Sequence, residues 1–140
     1  MQYYRHAEEV KLPVPQVPVL FLKPETSLND PAPSTVVIPK AFVRDEAADY
    51  ESELAIVIGK DCKDVSEEQA MDYLLGYTAA NDISSRLAQF AQSQWCYSKG
   101  FDGACPIGPA IIHRDQVKDI KQLRVTGSHN GEVVQDSTME

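Results

Sequence analysis

The distribution of proline constrains the first part of the chain more than any other feature. Prolines recur from Pro13 to Pro39, and each one fixes its own φ at about −65° and removes a backbone N–H donor. A long helix is therefore excluded here. The apolar stretches 17–22 and 36–38 are predicted as short strands, with a turn at 29–31 between them. The fold is expected to depend mainly on strands.

The rest of the chain alternates strand patterns with short helix patterns. Residues 50–58 have a period of two and are ended by Gly59, which predicts the strongest strand. The other predicted elements are a helix over 66–76 with Ser66 as N-cap and Gly76 as its stop, a strand over 77–83, a short helix over 85–91, an extended segment over 111–113, and a hairpin that turns at Asn130-Gly131. The pattern indicates one α+β domain that is mainly β.

Charge and cysteine content exclude several classes of protein. The 140 residues carry 13 Lys and Arg against 21 Asp and Glu, a net charge of −8. This balance argues against nucleic-acid or anionic-membrane binding, which need clustered positive charge. No apolar run approaches the roughly 20 residues of a membrane span. Three cysteines, without a CxxC motif, leave at least one unpaired and favour a reducing compartment. We expect a cytoplasmic protein, with a mitochondrial location left open.

Three carboxylates are placed unusually for a half-buried sheet. Glu51 and Glu53 share one face of the predicted strand with Ala55 and Val57, and Asp82 follows small and apolar residues in the next strand. Like charges so close together disfavour ionisation unless a cation lies between them. Oxygen ligands without Cys or His suit Mg²⁺, Mn²⁺ or Ca²⁺. The alternatives are a solvated edge strand for the two glutamates and a turn or capping role for the aspartate.

Two further segments carry groups that could act on a substrate. His6 and Glu9 lie three residues apart, on one face of a helical turn, so the carboxylate could orient the imidazole as a general base. The alternative is a surface helix with one exposed histidine. Lys99 stands beside Gly100 ahead of a loop rich in Pro and Gly. It suits anion binding, and it suits an exposed loop lysine equally well.

Six sequence blocks occur in order along the chain, namely residues 3–9, 18–24, 50–60, 76–86, 98–102 and 105–109, and the similarity runs from about Tyr3 to Asp136, nearly the whole chain. Together they resemble the fumarylacetoacetate hydrolase family. The resemblance implies a mixed β-roll with a few short helices and a divalent metal, Mg²⁺ or Mn²⁺. It places residues 1–140 in a single catalytic domain in which residues 1–12 form a lid-like segment.

The resemblance also assigns roles, position by position. The metal ligands would be Glu51, Glu53 and Asp82. The water-activating pair would be His6 with Glu9, the lysine beside the metal would be Lys99, and a glutamine that contacts substrate in some members corresponds to Gln89. Arg86 would complete the Asn-Asp block and pair with a neighbouring carboxylate.

The chemistry implied by the family is cleavage of a C–C bond next to a carbonyl. The substrates would be small 2-oxo or 1,3-diketo acids, as in acylpyruvate hydrolysis or oxaloacetate decarboxylation, and both reactions create an enolate. Relatives that isomerise or hydrate similar acids leave an isomerase or hydratase as an alternative. Family members commonly form homodimers, so a homodimer is expected.

Three departures from the family pattern stand out. The chain begins almost at the lid motif, and Leu87 follows Arg86 where the family usually has Asp. Family members also continue beyond the Asn130-Gly131 hairpin with a helix, further strands and a Gly-Thr-Pro loop. The β-roll is therefore expected to be incomplete, and a non-catalytic or partner-dependent homologue is the alternative to an active enzyme.

Overall fold

The structure is a computed structural model that describes residues 16–43 and 48–139. His6, Glu9 and the whole predicted lid-like segment 1–12 lie outside the described residues. The roles predicted for them therefore stay predictions.

A four-stranded sheet forms the centre of the described structure. The strand order is β1-β6-β4-β3, with β3 and β6 antiparallel to β4 and β1 parallel to β6. Two further two-stranded pairings, β2 with β5 and β7 with β8, complete the strands of this part of the chain. The strands are β1 Leu28–Asn29, β2 Ala48–Asp49, β3 Ser52–Ile58, β4 Leu74–Asn81, β5 Ser84–Ser85, β6 Cys105–His113, β7 Arg124–His129 and β8 Glu132–Thr138.

The helices are all short. The α-helices are α1 Lys40–Val43, α2 Glu67–Ala70, α3 Arg86–Ala91 and α4 Cys96–Lys99, and single 3₁₀ turns cover Glu25–Ser27, Met71–Tyr73, Arg114–Gln116 and Ile120–Gln122. The prediction of a mainly β fold with a few short helices is confirmed. Among the described residues, no helix has the length and apolar character needed to cross a membrane.

Local sequence patterns located three elements correctly. The predicted strand at 50–58 is β3, and the predicted helix at 85–91 is α3. The β7–β8 hairpin turns at Asn130 and Gly131, whose φ angles are 51° and 86°. Both residues of a tight hairpin turn of this kind need positive φ, which Asn and Gly adopt most easily.

Two predicted strands were wrong, and one predicted helix is shorter than expected. Residues 17–22 and 36–38 are not strands, although both stretches are apolar. A strand needs a ladder partner, and the flanking prolines remove the donors that a ladder would use. The helix predicted over 66–76 ends earlier, because β4 begins at Leu74 and pairs with β3 on one side and β6 on the other. Tertiary pairing outweighs the local helix pattern there.

A small cluster of aromatic rings packs beside helix α4. Phe42 of α1 is 8% exposed, and its ring lies 5.5 Å from both the Tyr97 and the Phe101 ring centroids. These contacts fix α4 and the loop after it against α1.

The two faces of β3 differ in how much they are covered. Large apolar side chains on the face opposite Glu51 and Glu53 stay exposed, including Ile56 at 56% and Ile58 at 59%. The acidic face of β3 is therefore the better covered one.

Candidate functional site

The β3–β4 pairing places two of the predicted ligands opposite each other. Ser52 pairs with Asn81 and Glu53 with Ala80, so the ladder continues to Glu51 and Asp82. The Asp82 N–H donates to the Glu51 carbonyl at 2.9 Å. The side chains of Glu51, Glu53 and Asp82 therefore belong to one face of the sheet, as the period of two predicts.

The ammonium of Lys99 lies between two of these carboxylates. Lys99 Nζ is 2.7 Å from Glu51 Oε2, 3.0 Å from Asp82 Oδ2 and 2.6 Å from the Ser84 hydroxyl. Its side chain is 2% exposed, and the Phe21 ring centroid lies 5.3 Å from Nζ. The alternative of an exposed loop lysine is therefore wrong. Lys99 is a buried cation held by two carboxylates.

Local structure explains how Lys99 reaches this position. It is the last residue of α4, a helical turn that the sequence pattern does not predict. A Cβ on Gly100 would lie 2.5 Å from the Cys96 carbonyl oxygen and 2.8 Å from Pro24 Cδ. Only glycine fits directly after the lysine, because any side chain would force the helix end away from the 20–24 segment.

Arg86 extends the charged cluster on its outer side. Its guanidinium donates to Asp49 Oδ2 at 2.8 Å, to Glu51 Oε1 at 2.5 Å and to Gln89 Oε1 at 2.9 Å. The expected pairing of Arg86 with a neighbouring carboxylate is confirmed. Gln89, predicted to contact substrate, lies one helical turn along α3 and joins the cluster through Arg86.

The ionisation of Glu51 reflects this environment. Burial by itself raises the pKa of the Glu51 carboxyl, but hydrogen bonds and charges from Lys99 and Arg86 outweigh it and hold the pKa below its ordinary value of 4.5. Glu51 is therefore anionic at neutral pH. An anionic oxygen in a partly buried position is what a hard cation requires.

Two residues of the cluster were not singled out from the sequence. Ser84 has no exposed surface and accepts from Lys99. Lys23 Nζ donates to Asp82 Oδ1 at 2.5 Å. Lys23 directly follows an apolar run in the 18–24 block. A lysine next to an apolar run is the sequence signal that could have marked it as a member of the charged cluster.

The donor set fits a divalent metal by its chemistry. Glu51 and Asp82 already share one cation, the Lys99 ammonium, and the atoms they offer it are carboxylate oxygens, which hard divalent ions prefer. Glu53 is half-buried on the same face. Across residues 16–43 and 48–139, no three His, Cys, Asp or Glu side chains are grouped so as to hold a metal as they stand. The three-carboxylate metal site stays a prediction.

A cavity of about 340 Å³ lies beside Glu53. It separates the β3–β4 part of the sheet from the first residues of β7, and its volume falls within the range of small-molecule sites. Its walls are formed by Ser52, Glu53, Leu54, Ala79, Ala80, Leu123, Arg124, Val125 and Thr126.

Two of the similar sequences have names that describe an activity on an oxo acid. The chain is 54% identical over 136 residues to a caffeoylpyruvate hydrolase of Neonothopanus nambi. The aligned region covers 87% of this chain and 46% of that protein. It is 40% identical over 139 residues to the mitochondrial oxaloacetate tautomerase fahd2 of Xenopus laevis, covering 98% and 42% of the two chains. The chain spans about half the length of the curated relatives it matches.

Solved structures and family membership agree with these relatives. A 5-carboxymethyl-2-hydroxymuconate delta-isomerase from Mycobacterium smegmatis superposes with a TM-score of 0.78 at 38% identity, over 98% of this chain and 52% of that one. Residues 1–140 match the family described as fumarylacetoacetate (FAA) hydrolase C-terminal. The resemblance noted in the sequence is thus confirmed over the whole chain, which belongs to the fumarylacetoacetate hydrolase family.

Proposed function

We propose that the protein cleaves a C–C bond in small 2-oxo or 1,3-diketo acids through an enolate, by acylpyruvate hydrolysis or oxaloacetate decarboxylation. The observation that supports this most is the buried Lys99 ammonium between Glu51 and Asp82. A fixed positive charge in a site with little water stabilises a developing oxyanion far better than it would in bulk solvent.

Glu51, Glu53 and Asp82 are the residues that would hold Mg²⁺ or Mn²⁺. When bound, the ion supplies Lewis-acid stabilisation of the enolate charge. Both ions accept carboxylate oxygens, so the donor set does not favour one over the other. Arg86 holds the second oxygen of Glu51 and thereby fixes the carboxylate plane.

The remaining residues would bind substrate and move protons. Lys99 would stabilise the enolate through its charge without a direct hydrogen bond, because Glu51, Asp82 and Ser84 already take its three N–H donors. In hydrolysis, His6 oriented by Glu9 would take a proton from the water that attacks the distal carbonyl. Gln89, held by Arg86, would donate its amide to the substrate. Decarboxylation needs no attacking water, so it would depend less on His6 and Glu9.

A second candidate is tautomerisation or isomerisation of the same acids. The names of the Xenopus laevis and Mycobacterium smegmatis proteins favour it, whereas the name of the Neonothopanus nambi protein favours hydrolysis. All of these reactions pass through an enolate and would use the same residues. Identification of products from a panel of 2-oxo acids separates them.

Association with a second chain would be part of the functional state. Ile56, Ile58 and Ile112 are 56%, 59% and 45% exposed on adjoining parts of the sheet. Apolar surface of this kind favours association, and a homodimer is the arrangement we propose. If the isolated chain is inactive but becomes active with a partner, the partner-dependent alternative is favoured instead.

Glu53→Gln is the variant that tests the proposed chemistry. It keeps the shape of the side chain and removes one anionic oxygen, so Mg²⁺- or Mn²⁺-dependent turnover of acylpyruvates and oxaloacetate should fall by about 100-fold. Glu132→Gln on the exposed hairpin is the matched control and should leave turnover unchanged. Activity that persists in excess chelator, or that survives Glu53→Gln, would overturn the proposal.

A further inference from the structure

Lys23 is a partly buried cation that the proposed chemistry does not use. Its side chain is 15% exposed. Nζ donates to Asp82 Oδ1 at 2.5 Å, to the Lys99 carbonyl oxygen, and at 3.4 Å to the Ala104 carbonyl oxygen. A lysine ammonium has three N–H donors and no acceptor. Each donor therefore has an acceptor inside the protein.

The three acceptors come from three separate parts of the fold. Asp82 follows the end of β4, Lys99 ends α4, and Ala104, which has no exposed surface, precedes β6. The Ala104 carbonyl also accepts from the Ile83 N–H at 3.0 Å. One ammonium thus ties the predicted ligand strand to the backbone that carries Lys99.

The two carboxylate oxygens of Asp82 contact two different lysines. Oδ1 is held by Lys23, and Oδ2 is turned toward Lys99 Nζ at 3.0 Å. Because Lys23 occupies only one oxygen, the other remains on the side shared with Glu51.

We propose that Lys23 is a positioning residue for metal binding. It orients Asp82 through Oδ1 and fixes the main chain at Lys99. Both side chains are thereby held facing Glu51. This inference rests on the proposed function, because it takes Asp82 as a metal ligand.

The metal affinity of a variant without Lys23 should change in opposite directions, depending on whether Lys23 acts through its charge or by positioning Asp82. A positive charge in contact with a metal ligand repels a divalent cation, so its loss alone should tighten metal binding. Loss of a group that orients a ligand should weaken binding, typically by about 10-fold to 100-fold. The sign of the change therefore identifies the role.

The test is Mn²⁺ binding to the full chain without substrate, followed by electron paramagnetic resonance. We expect Lys23→Met to raise the dissociation constant by about 10-fold and to alter the spectrum of the bound ion. Lys23→Arg keeps the charge but spreads its donors over a planar fork, so it should also weaken binding, by a smaller factor. Lys63→Met, at an exposed position, is the control and should change neither.

The outcomes separate this inference from the proposed function. Equal or tighter Mn²⁺ binding by Lys23→Met, or unchanged binding by Lys23→Arg if the Met variant does not fold, overturns the positioning role and leaves the proposed function standing. Failure of the unaltered chain to bind Mn²⁺ overturns both.

Discussion

Replacing Lys99 with Met should lower both turnover and stability. The ammonium is 2% exposed, and its carboxylate partners Glu51 and Asp82 are 21% and 13% exposed. Removing one member of a buried ionic cluster leaves charge uncompensated, which we expect to cost about 3 kcal/mol of unfolding free energy. Turnover should fall by about 100-fold to 1,000-fold, because the enolate loses a fixed positive charge. Urea denaturation and initial rates measure the two effects.

Mg²⁺ should restore part of the stability of Lys99→Met but not its turnover. The ion would replace the missing positive charge between the carboxylates and would stabilise the folded state by binding it. Lys63→Met, at an exposed position, should behave like the unaltered chain. An unfolding free energy that is unchanged in Lys99→Met would contradict the buried position of the ammonium.

The same substitution should flatten the acid dependence of stability. Because the folded pKa of Glu51 lies below its ordinary value of 4.5, the stability that Glu51 contributes is present above pH 4.5 and is lost as the pH falls through the folded value. Without Lys99 the pKa of Glu51 should rise toward its ordinary value. The stability of Lys99→Met should then decrease less than that of the unaltered chain on acidification.

Gly76→Ala should destabilise the sheet by about 3 kcal/mol. Gly76 lies in β4, the strand between β3 and β6. An added Cβ would stand 2.1 Å from the Ile112 carbonyl oxygen and 2.9 Å from its carbonyl carbon. These are backbone atoms of the paired strand, so the overlap can be relieved only by separating β4 from β6. Denaturant unfolding measures the loss.

Gly127→Ala is the matched comparison. Its Cβ would stand 2.4 Å from the Ser52 hydroxyl oxygen, which is the end of a side chain that can rotate away. We expect a loss of less than about 1 kcal/mol. Equal losses in the two variants would show that the close approach of β4 to β6 is not what requires glycine at 76.

The sequence predicted the strands, turns and helices that depend mainly on residues close together in the chain. The alternation in β3, the Asn130-Gly131 turn and the helix α3 each depend on neighbouring residues. The failures at 17–22 and 36–38 have the opposite cause. A strand exists only if another segment offers it a ladder, and no local pattern shows whether that partner is present.

The site was predicted only in part, for the same reason. The strand period placed Glu51 and Glu53 on one face. Asp82 and Lys99 were also candidates from the residues themselves, and the resemblance assigned their roles. The contacts that define the cluster join residues far apart in sequence, such as Lys23 with Asp82, which are 59 positions apart. Burial of Lys99 could not be predicted, because the helix that carries it is a single turn fixed by tertiary contacts.

We propose that the charged cluster around Lys99 stabilises the enolate of a 2-oxo acid. Exchange of the methyl hydrogens of pyruvate for deuterium in D₂O, followed by proton nuclear magnetic resonance, tests this most directly, since the exchange requires the enolate but no C–C bond cleavage. We predict exchange with Mg²⁺ or Mn²⁺ well above the rate for the ion alone, and its loss in both Glu53→Gln and Lys99→Met. Exchange no faster than with the ion alone, or equal exchange in those variants, would contradict it.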